Sequence, residues 1–259
     1  MKTLATLKYK FNSLAGLIRT TKNWPALLFW NYLGKNRKKK AYLRNGLVFT
    51  LRRRCADLSM LLETVDSRYY DSFRIGKGDI IDVGAHVGFF SIFISYLHPK
   101  RRILAFEPFP ENLVLLRKNV KENKKQNIRI FNQAIGGKEG SFPFYPVKRH
   151  SGCHSLYNRE GAGKPFKVKV TTLQKVFDEE KVQHCALLKM DCEGAEFPII
   201  LNAPSRLFKK IDIIAMEYHD YLVKNEKEEL VDKLVKEGFA VELHSKLTFL
   251  YAKRIKRGP

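Results

Sequence analysis

From Asp79 onward the chain alternates short β-branched or apolar runs with longer helical patterns, and this alternation constrains the fold more than any other feature of the sequence. A strand followed by a helix and then another strand builds βαβ units, which assemble into a mostly parallel sheet with helices on its faces. Strands are expected at Asp79–Val83, Arg102–Phe106, Ile128–Ala134, Cys185–Met190, Asp212–Glu217, Ala240–His244 and Thr248–Lys253. Helices are expected at Gly88–Leu97, Pro110–Asn123, Thr172–Glu179, Ala195–Leu201 and Glu226–Glu237, with Pro110, Thr172 and Gly238 at positions that favour helix ends. Three residues separate His244 from Thr248, too few for a crossover, so the last two strands should form an antiparallel hairpin. Residues 136–165 are expected to be an irregular insertion of the length that usually carries a binding loop.

Hydrophobic residues make up 44% of the 259, enough to build a full core. The longest apolar runs fall well short of the ~20 residues that a membrane-spanning helix needs. Cys55, Cys153, Cys185 and Cys192 are far apart and form no C-x-x-C pair, so neither a zinc site nor a disulfide framework is indicated. Reduced thiols in a cytoplasmic chain are expected.

The net charge of +22 is unevenly placed. Residues 1–54 contain eight Lys, six Arg and no acidic residue, a local +14 that calls for an anionic partner. Leu4, Leu7, Phe11, Leu14 and Ile18 recur at helical spacing among basic residues, and Trp24, Phe29, Trp30 and Tyr32 precede a cluster running from Lys35 to Lys40. Basic and aromatic residues in this arrangement suit an anionic membrane surface, so residues 1–40 are expected to hold the chain peripherally on the inner face of the membrane. Packing of the same stripe on the main domain is the competing expectation.

The chemistry is concentrated at strand ends. The first strand runs through Asp82-Val83-Gly84-Ala85-His86-Val87-Gly88 into a helix; Gly84 permits a sharp turn close to a ligand and Gly88 permits close helix packing. The second strand ends at Glu107, placed to accept hydrogen bonds from a ribose, and this pairing points to an adenosine-containing cofactor. A dinucleotide would need more glycine around its pyrophosphate than this loop offers. The fourth strand ends in Asp191-Cys192-Glu193-Gly194-Ala195-Glu196, whose carboxylates suit a sulfonium cofactor and a hydroxyl substrate.

These segments resemble the FkbM family of S-adenosylmethionine-dependent methyltransferases. The resemblance rests on Gly84 to Phe90, Ala105 to Pro108, Gly152 to Leu156, Leu188 to Glu196 and Met216 to His219, and it extends over about residues 76–220. It implies an α/β class I methyltransferase (Rossmann-like) fold, with a seven-stranded, mostly parallel sheet whose last strand is antiparallel. It also implies O-methylation of a hydroxyl on a sugar, polysaccharide, glycolipid or related natural product. Asp82, Gly84, His86 and Gly88 would then hold the methionine portion of S-adenosyl-L-methionine and Glu107 its ribose, with Gln133 and Ala134 near the adenine. Cys153, His154 and Cys192 depart from the residues more usual in the family. On this reading residues 1–70 form a basic N-terminal helical segment and lead-in, and residues 71–259 the methyltransferase domain.

Methyl transfer to a hydroxyl needs alignment and removal of a proton. His219 is the favoured base because imidazole titrates nearest neutral pH, with Asp191 and Glu193 as orienting groups. Asp191 is also counted among the cofactor contacts through the sulfonium charge, and no metal is assigned. Two other functions compete: an RNA methyltransferase, which the basic front would serve and which the absence of a base-amine motif or Pro-Cys nucleophile restricts to the ribose 2'-O position, and a non-catalytic cofactor-binding protein at a membrane. A glycan or small-molecule hydroxyl is the preferred acceptor and nucleic acid the less favoured one.

Overall fold

The computed structural model describes residues 14–33, 38–53, 55–66, 75–147, 152–159, 161–223, 227–244 and 248–255. Strands are numbered in chain order: β1 Lys39–Tyr42, β2 Val48–Leu51, β3 Asp79–Val83, β4 Ile103–Phe106, β5 Ile128–Phe131, β6 Ala134–Gly136, β7 Gly140–Phe144, β8 Phe166–Thr172, β9 Cys185–Met190, β10 Ile213–Glu217, β11 Phe239–His244 and β12 Phe249–Arg254.

The main sheet has the order β11-β12-β10-β9-β3-β4-β5, and β12 alone runs against its neighbours. This is the expected doubly wound, class I methyltransferase sheet. Successive residues of β3 point to opposite faces: Ile81 joins the core with Leu188, Phe197 and Phe208, and Ile80 the core with Phe90 and Ile94. All six residues of β9 are buried, as a central parallel strand covered on both faces requires. From β3 the chain winds outward through β4 to β5 and then returns to lay β9 on the other side of β3. The strand order reverses between β3 and β9, so a crevice opens beyond their carboxyl ends.

Three parts differ from the sequence expectation. The run Ile128–Ala134 is two elements: β5 ends at Phe131, and Ala134 starts β6 of a separate small sheet ordered β6-β8-β7. β7 lies within the expected irregular insertion and tolerates Pro143 because it is the edge strand. β8 carried a legible signal, Val168 and Val170 alternating with Lys167 and Lys169.

The front of the chain is not purely helical. Residues 14–20 are helical and α1 spans Trp24–Tyr32, but β1 and β2 form an antiparallel hairpin before α2, Asp57–Asp66. Leu17, Leu27, Trp30, Phe49, Leu51 and Leu61 share one core with Val87, Phe89, Leu113 and Val120. Asn119, on the helix Pro110–Glu122, and Asn123, its C-cap, accept the Thr50 and Val48 N–H groups at 2.9 Å and so cover the edge of the hairpin. Leu4, Leu7 and Phe11 of the expected stripe, and the boundary near residue 70, lie outside the described residues.

Candidate active site

The crevice encloses about 550 Å³ of empty space, counting its open mouth. Its wall brings together Gly84, His86, Glu107, Ala134 and Asp191 of the expected residues, with Met60, Asn112, Phe144, His154, Leu156 and Cys192.

Gly84 follows β3 at φ +80°, and a Cβ there would collide with the Asp191 carbonyl oxygen, so only glycine lets the ends of β3 and β9 approach this closely. His86 also has positive φ, +52°. Its N–H donates to Glu107 Oε2 at 2.8 Å, and the Phe109 N–H donates to Glu107 Oε1 at 2.8 Å. The two strand-end turns are thereby clamped onto one carboxylate. Burial pushes the Glu107 pKa up to about 7, against the pull of these N–H groups.

The front hairpin supports this turn. Arg52 grips Asp57 with Nε and Nη2 at 3.1 Å each, reaches Asn112 Oδ1 at 2.8 Å, and contacts His86 Nε2 at 2.9 Å. Burial first, then the Arg52 charge, hold the His86 pKa well below its ordinary value, so the imidazole is neutral and accepts from the guanidinium. Sequence reasoning missed Arg52 because its partners at the cavity, His86 and Asn112, are 34 and 60 residues away.

At the tips of β9 and β10 sits a second cluster. Glu196 is fully buried and accepts the Cys192 and Gly194 N–H groups at 2.7 and 2.8 Å, and its Oε1 is 3.2 Å from His219 Nδ1. The other nitrogen of His219 lies 3.7 Å from Glu193 and 3.9 Å from Glu217. Arg159 reaches back from the insertion to pair with Glu193 at 2.8 Å, and Ser155 Oγ donates to the Glu193 carbonyl at 2.5 Å, which fastens residues 152–159 over the crevice. Burial alone would lower the His219 pKa, but the Glu196 hydrogen bond and charge, with Asp191 and Glu193 adding, raise it to about 9. Burial and the Asp191 charge raise Glu217 to about 7.

Donor atoms of Asp191, Glu196 and His219 lie within 4.8 Å of one another. The Glu196 oxygens are already engaged by two backbone N–H groups and the imidazolium, so the trio is an ion pair with a neighbouring carboxylate.

Residues 82–241 match the family model described as the Methyltransferase FkbM domain, more than half of the chain. The chain belongs to the FkbM methyltransferase family. The AMB antimetabolite synthetase AmbE of Pseudomonas aeruginosa is 23% identical over 203 residues, a match covering 63% of this chain but 10% of AmbE. The 31-O-demethyl-FK506 methyltransferase FkbM of Streptomyces tacrolimicus is 26% identical over 198 residues, 65% of this chain and 75% of that protein. Among solved structures, TYW2 of M. jannaschii in complex with AdoMet aligns with a TM-score of 0.43 at 15% identity, over 86% of this chain and 89% of that one.

As an FkbM domain the chain takes S-adenosylmethionine as its cofactor, and the residues lining the cavity fit it: Glu107 would accept from ribose hydroxyls and Asp191 would set a carboxylate beside a sulfonium. Several expected contacts are corrected. Asp82 is fully buried away from the cavity, accepting from Ser91 Oγ at 2.6 Å and lying 3.1 Å from Lys189 Nζ, which in turn donates to the Gly84 carbonyl. It shapes the turn through Lys189. Gly88 is the N-cap of the helix Phe89–Leu97, and a Cβ there would strike Leu116, so it serves packing. Gln133 lies past the end of β5 and outside the cavity wall, as do Glu193 and His219. The acidic neighbours of His219 raise its pKa to about 9, which favours the imidazolium over the free base at neutral pH. Glu217 and Glu196 were legible only as parts of the family segments.

Replacing Glu107 with alanine should weaken binding of S-adenosylhomocysteine by about 2–4 kcal/mol, the loss of two charge-assisted hydrogen bonds. Isothermal calorimetry checks this; equal affinities would remove Glu107 from the ribose site.

Proposed function

We propose that this chain is an S-adenosylmethionine-dependent O-methyltransferase acting on a hydroxyl of a sugar, polysaccharide, glycolipid or related natural product. The observation that carries this reading is the group of carboxylates, Asp191, Glu193 and Glu217, set around the His219 imidazolium beside the cofactor cavity. The name of the Streptomyces relative, which specifies an O-demethyl substrate, supports an oxygen acceptor.

The cofactor supplies an electrophilic methyl group on a sulfonium sulfur. Gly84, Glu107 and Asp191, which line the cavity wall, would hold and orient it. An acceptor hydroxyl bound beside the carboxylate cluster would give its proton to the Glu217 carboxylate; the bound cofactor would supply the methyl group, its carbon–sulfur bond breaking to leave S-adenosylhomocysteine. A carboxylate with a pKa of about 7 is well matched to this task near neutral pH. His219, fixed by Glu196, keeps Glu193 and Glu217 in place by charge. Labelled S-adenosylmethionine incubated with lipid, glycan and RNA fractions tests the acceptor class: label in glycan or lipid supports the reading, and label in RNA alone overturns it.

The reading includes a membrane location for the acceptor. α1 buries Leu27 and Trp30 but leaves Phe29, Tyr32 and Leu33 between 62% and 75% exposed, with Pro25 and Ala26 exposed on the same face. Ile18 is exposed too, and the surrounding segment carries +14. No helix among the described residues is long and apolar enough to cross a membrane. An apolar stripe in so basic a setting suits an anionic bilayer surface, where each Lys or Arg contributes about 1 kcal/mol. The protein should cosediment with phosphatidylserine vesicles and not with phosphatidylcholine vesicles. The double change Phe29→Ser, Leu33→Ser should weaken this at least about tenfold, since each side chain contributes about 1.5–3 kcal/mol when buried. Indifference to lipid charge, or a dimer in sedimentation velocity that the double change dissolves, would overturn it.

A further inference from the structure

His154 is nine-tenths buried in the wall of the cofactor cavity, its ring centroid 4.0 Å from that of Phe109. Phe109 is the residue whose N–H holds Glu107, so His154 stands beside the expected ribose site. The Val147 N–H donates to His154 Nδ1 at 2.9 Å. That bond makes Nδ1 an acceptor, so in the neutral ring the proton sits on Nε2. Nε2 is buried and has no hydrogen-bond partner among the described residues. Burial, with the nearby Arg52 and Arg159 charges, lowers the pKa to about 4, which keeps the ring in this single neutral form across the physiological range.

A buried N–H without an acceptor is costly, and such groups in folded proteins generally have a partner. His154 lines the cavity, so a ligand bound there can bring one. The neighbouring wall is apolar, made by Ala134, Ile135, Phe144 and Leu156, which suits a flat heteroaromatic ring. The ring nitrogens of adenine are acceptors, whereas its exocyclic amine is a donor and would be rejected by a second donor.

We propose that His154 Nε2–H donates a hydrogen bond to a ring nitrogen of the cofactor's adenine, making His154 a cofactor-recognition residue. The proposal rests on the cofactor cavity described above. It assigns the backbone of Val147 a part in recognition, because that N–H selects the tautomer that can donate. Glutamine can keep a side-chain donor near this place, whereas phenylalanine keeps the contact with Phe109 and loses both nitrogens.

The test is calorimetry of S-adenosylhomocysteine and its 1-deaza, 3-deaza and 7-deaza analogues with the parent, His154→Phe and His154→Gln. His154→Phe should bind S-adenosylhomocysteine about threefold to tenfold more weakly, the net worth of one neutral hydrogen bond. His154→Gln should recover part of that loss. One deaza analogue should bind the parent equally weakly and lose nothing further in His154→Phe, and this coupling identifies the acceptor nitrogen. Equal affinity of parent and His154→Phe for S-adenosylhomocysteine would overturn the proposal. So would an equal loss across all four ligands, which would make His154 a wall residue only. A parent that binds none of the four would overturn the cofactor assignment itself, and the proposal with it.

Discussion

Glu217→Gln is expected to lower turnover by about 10²- to 10⁴-fold, the usual contribution of a general base, with little change in affinity for S-adenosylhomocysteine. The parent rate should rise with pH through about 7, where the Glu217 carboxyl gives up its proton, and this limb should be absent in the variant. Stopped assays across pH 5.5–8.5 with the acceptor found by labelling would show both effects. If Glu217→Gln keeps the parent turnover and pH limb, the base lies elsewhere, and Asp191 on the cavity wall becomes the first candidate. His219→Ala should also slow the reaction, but without removing this limb, because the imidazole is already protonated where the limb occurs. Its effect would come through displaced carboxylates.

The second large effect concerns stability. Glu196→Ala should destabilise the fold by about 3–5 kcal/mol, the penalty for leaving a buried charge without its partner. Two backbone N–H groups, of Cys192 and Gly194, lose their acceptor at the same time. Urea denaturation at pH 7 measures the loss, and a change below about 1 kcal/mol, the size of a surface pair, would show that the imidazolium is not held by Glu196. A pH series adds an independent readout. His219 binds its proton more tightly in the folded chain, so its stabilisation is whole below pH 6.5 and is lost as pH rises through about 9. That loss amounts to about 3 kcal/mol. Glu196 is the acidic end of the same pair, its pKa held below the ordinary value by His219 although burial opposes this; its share fails at the other end, as pH falls below 4.5. Glu107 and Glu217, both raised to about 7, weaken the fold as pH rises from 4.5 to 7, and the four cysteines, whose thiols burial pushes up, weaken it above about pH 9, so the interval from pH 7 to 9 reports chiefly on His219. In Glu196→Ala the decline over that interval should be much smaller than in the parent.

The sheet, its seven strands and the antiparallel last pair were legible in the residues, because period-two and helical patterns report which faces are buried and Pro110, Thr172 and Gly238 mark boundaries by local backbone chemistry. Gly84, Glu107 and Asp191 were legible for a related reason: in a doubly wound sheet, residues at strand tips face one crevice whatever the rest of the chain does. Tertiary structure alone decided the remainder. The hairpin of β1 and β2 was hidden because its edge is covered by Asn119 and Asn123, some 70 residues away. The protonation of His219 was hidden because a pKa is set by neighbours, and Glu196 reaches it from 23 residues up the chain. In the same way Asp82 left the cofactor for Lys189, and the tautomer of His154 was chosen by the backbone of Val147. Local sequence determines which elements form and which tips can meet; only the packed chain brings each charge its partner, and the partner determines whether a group is a base, an anchor or a donor.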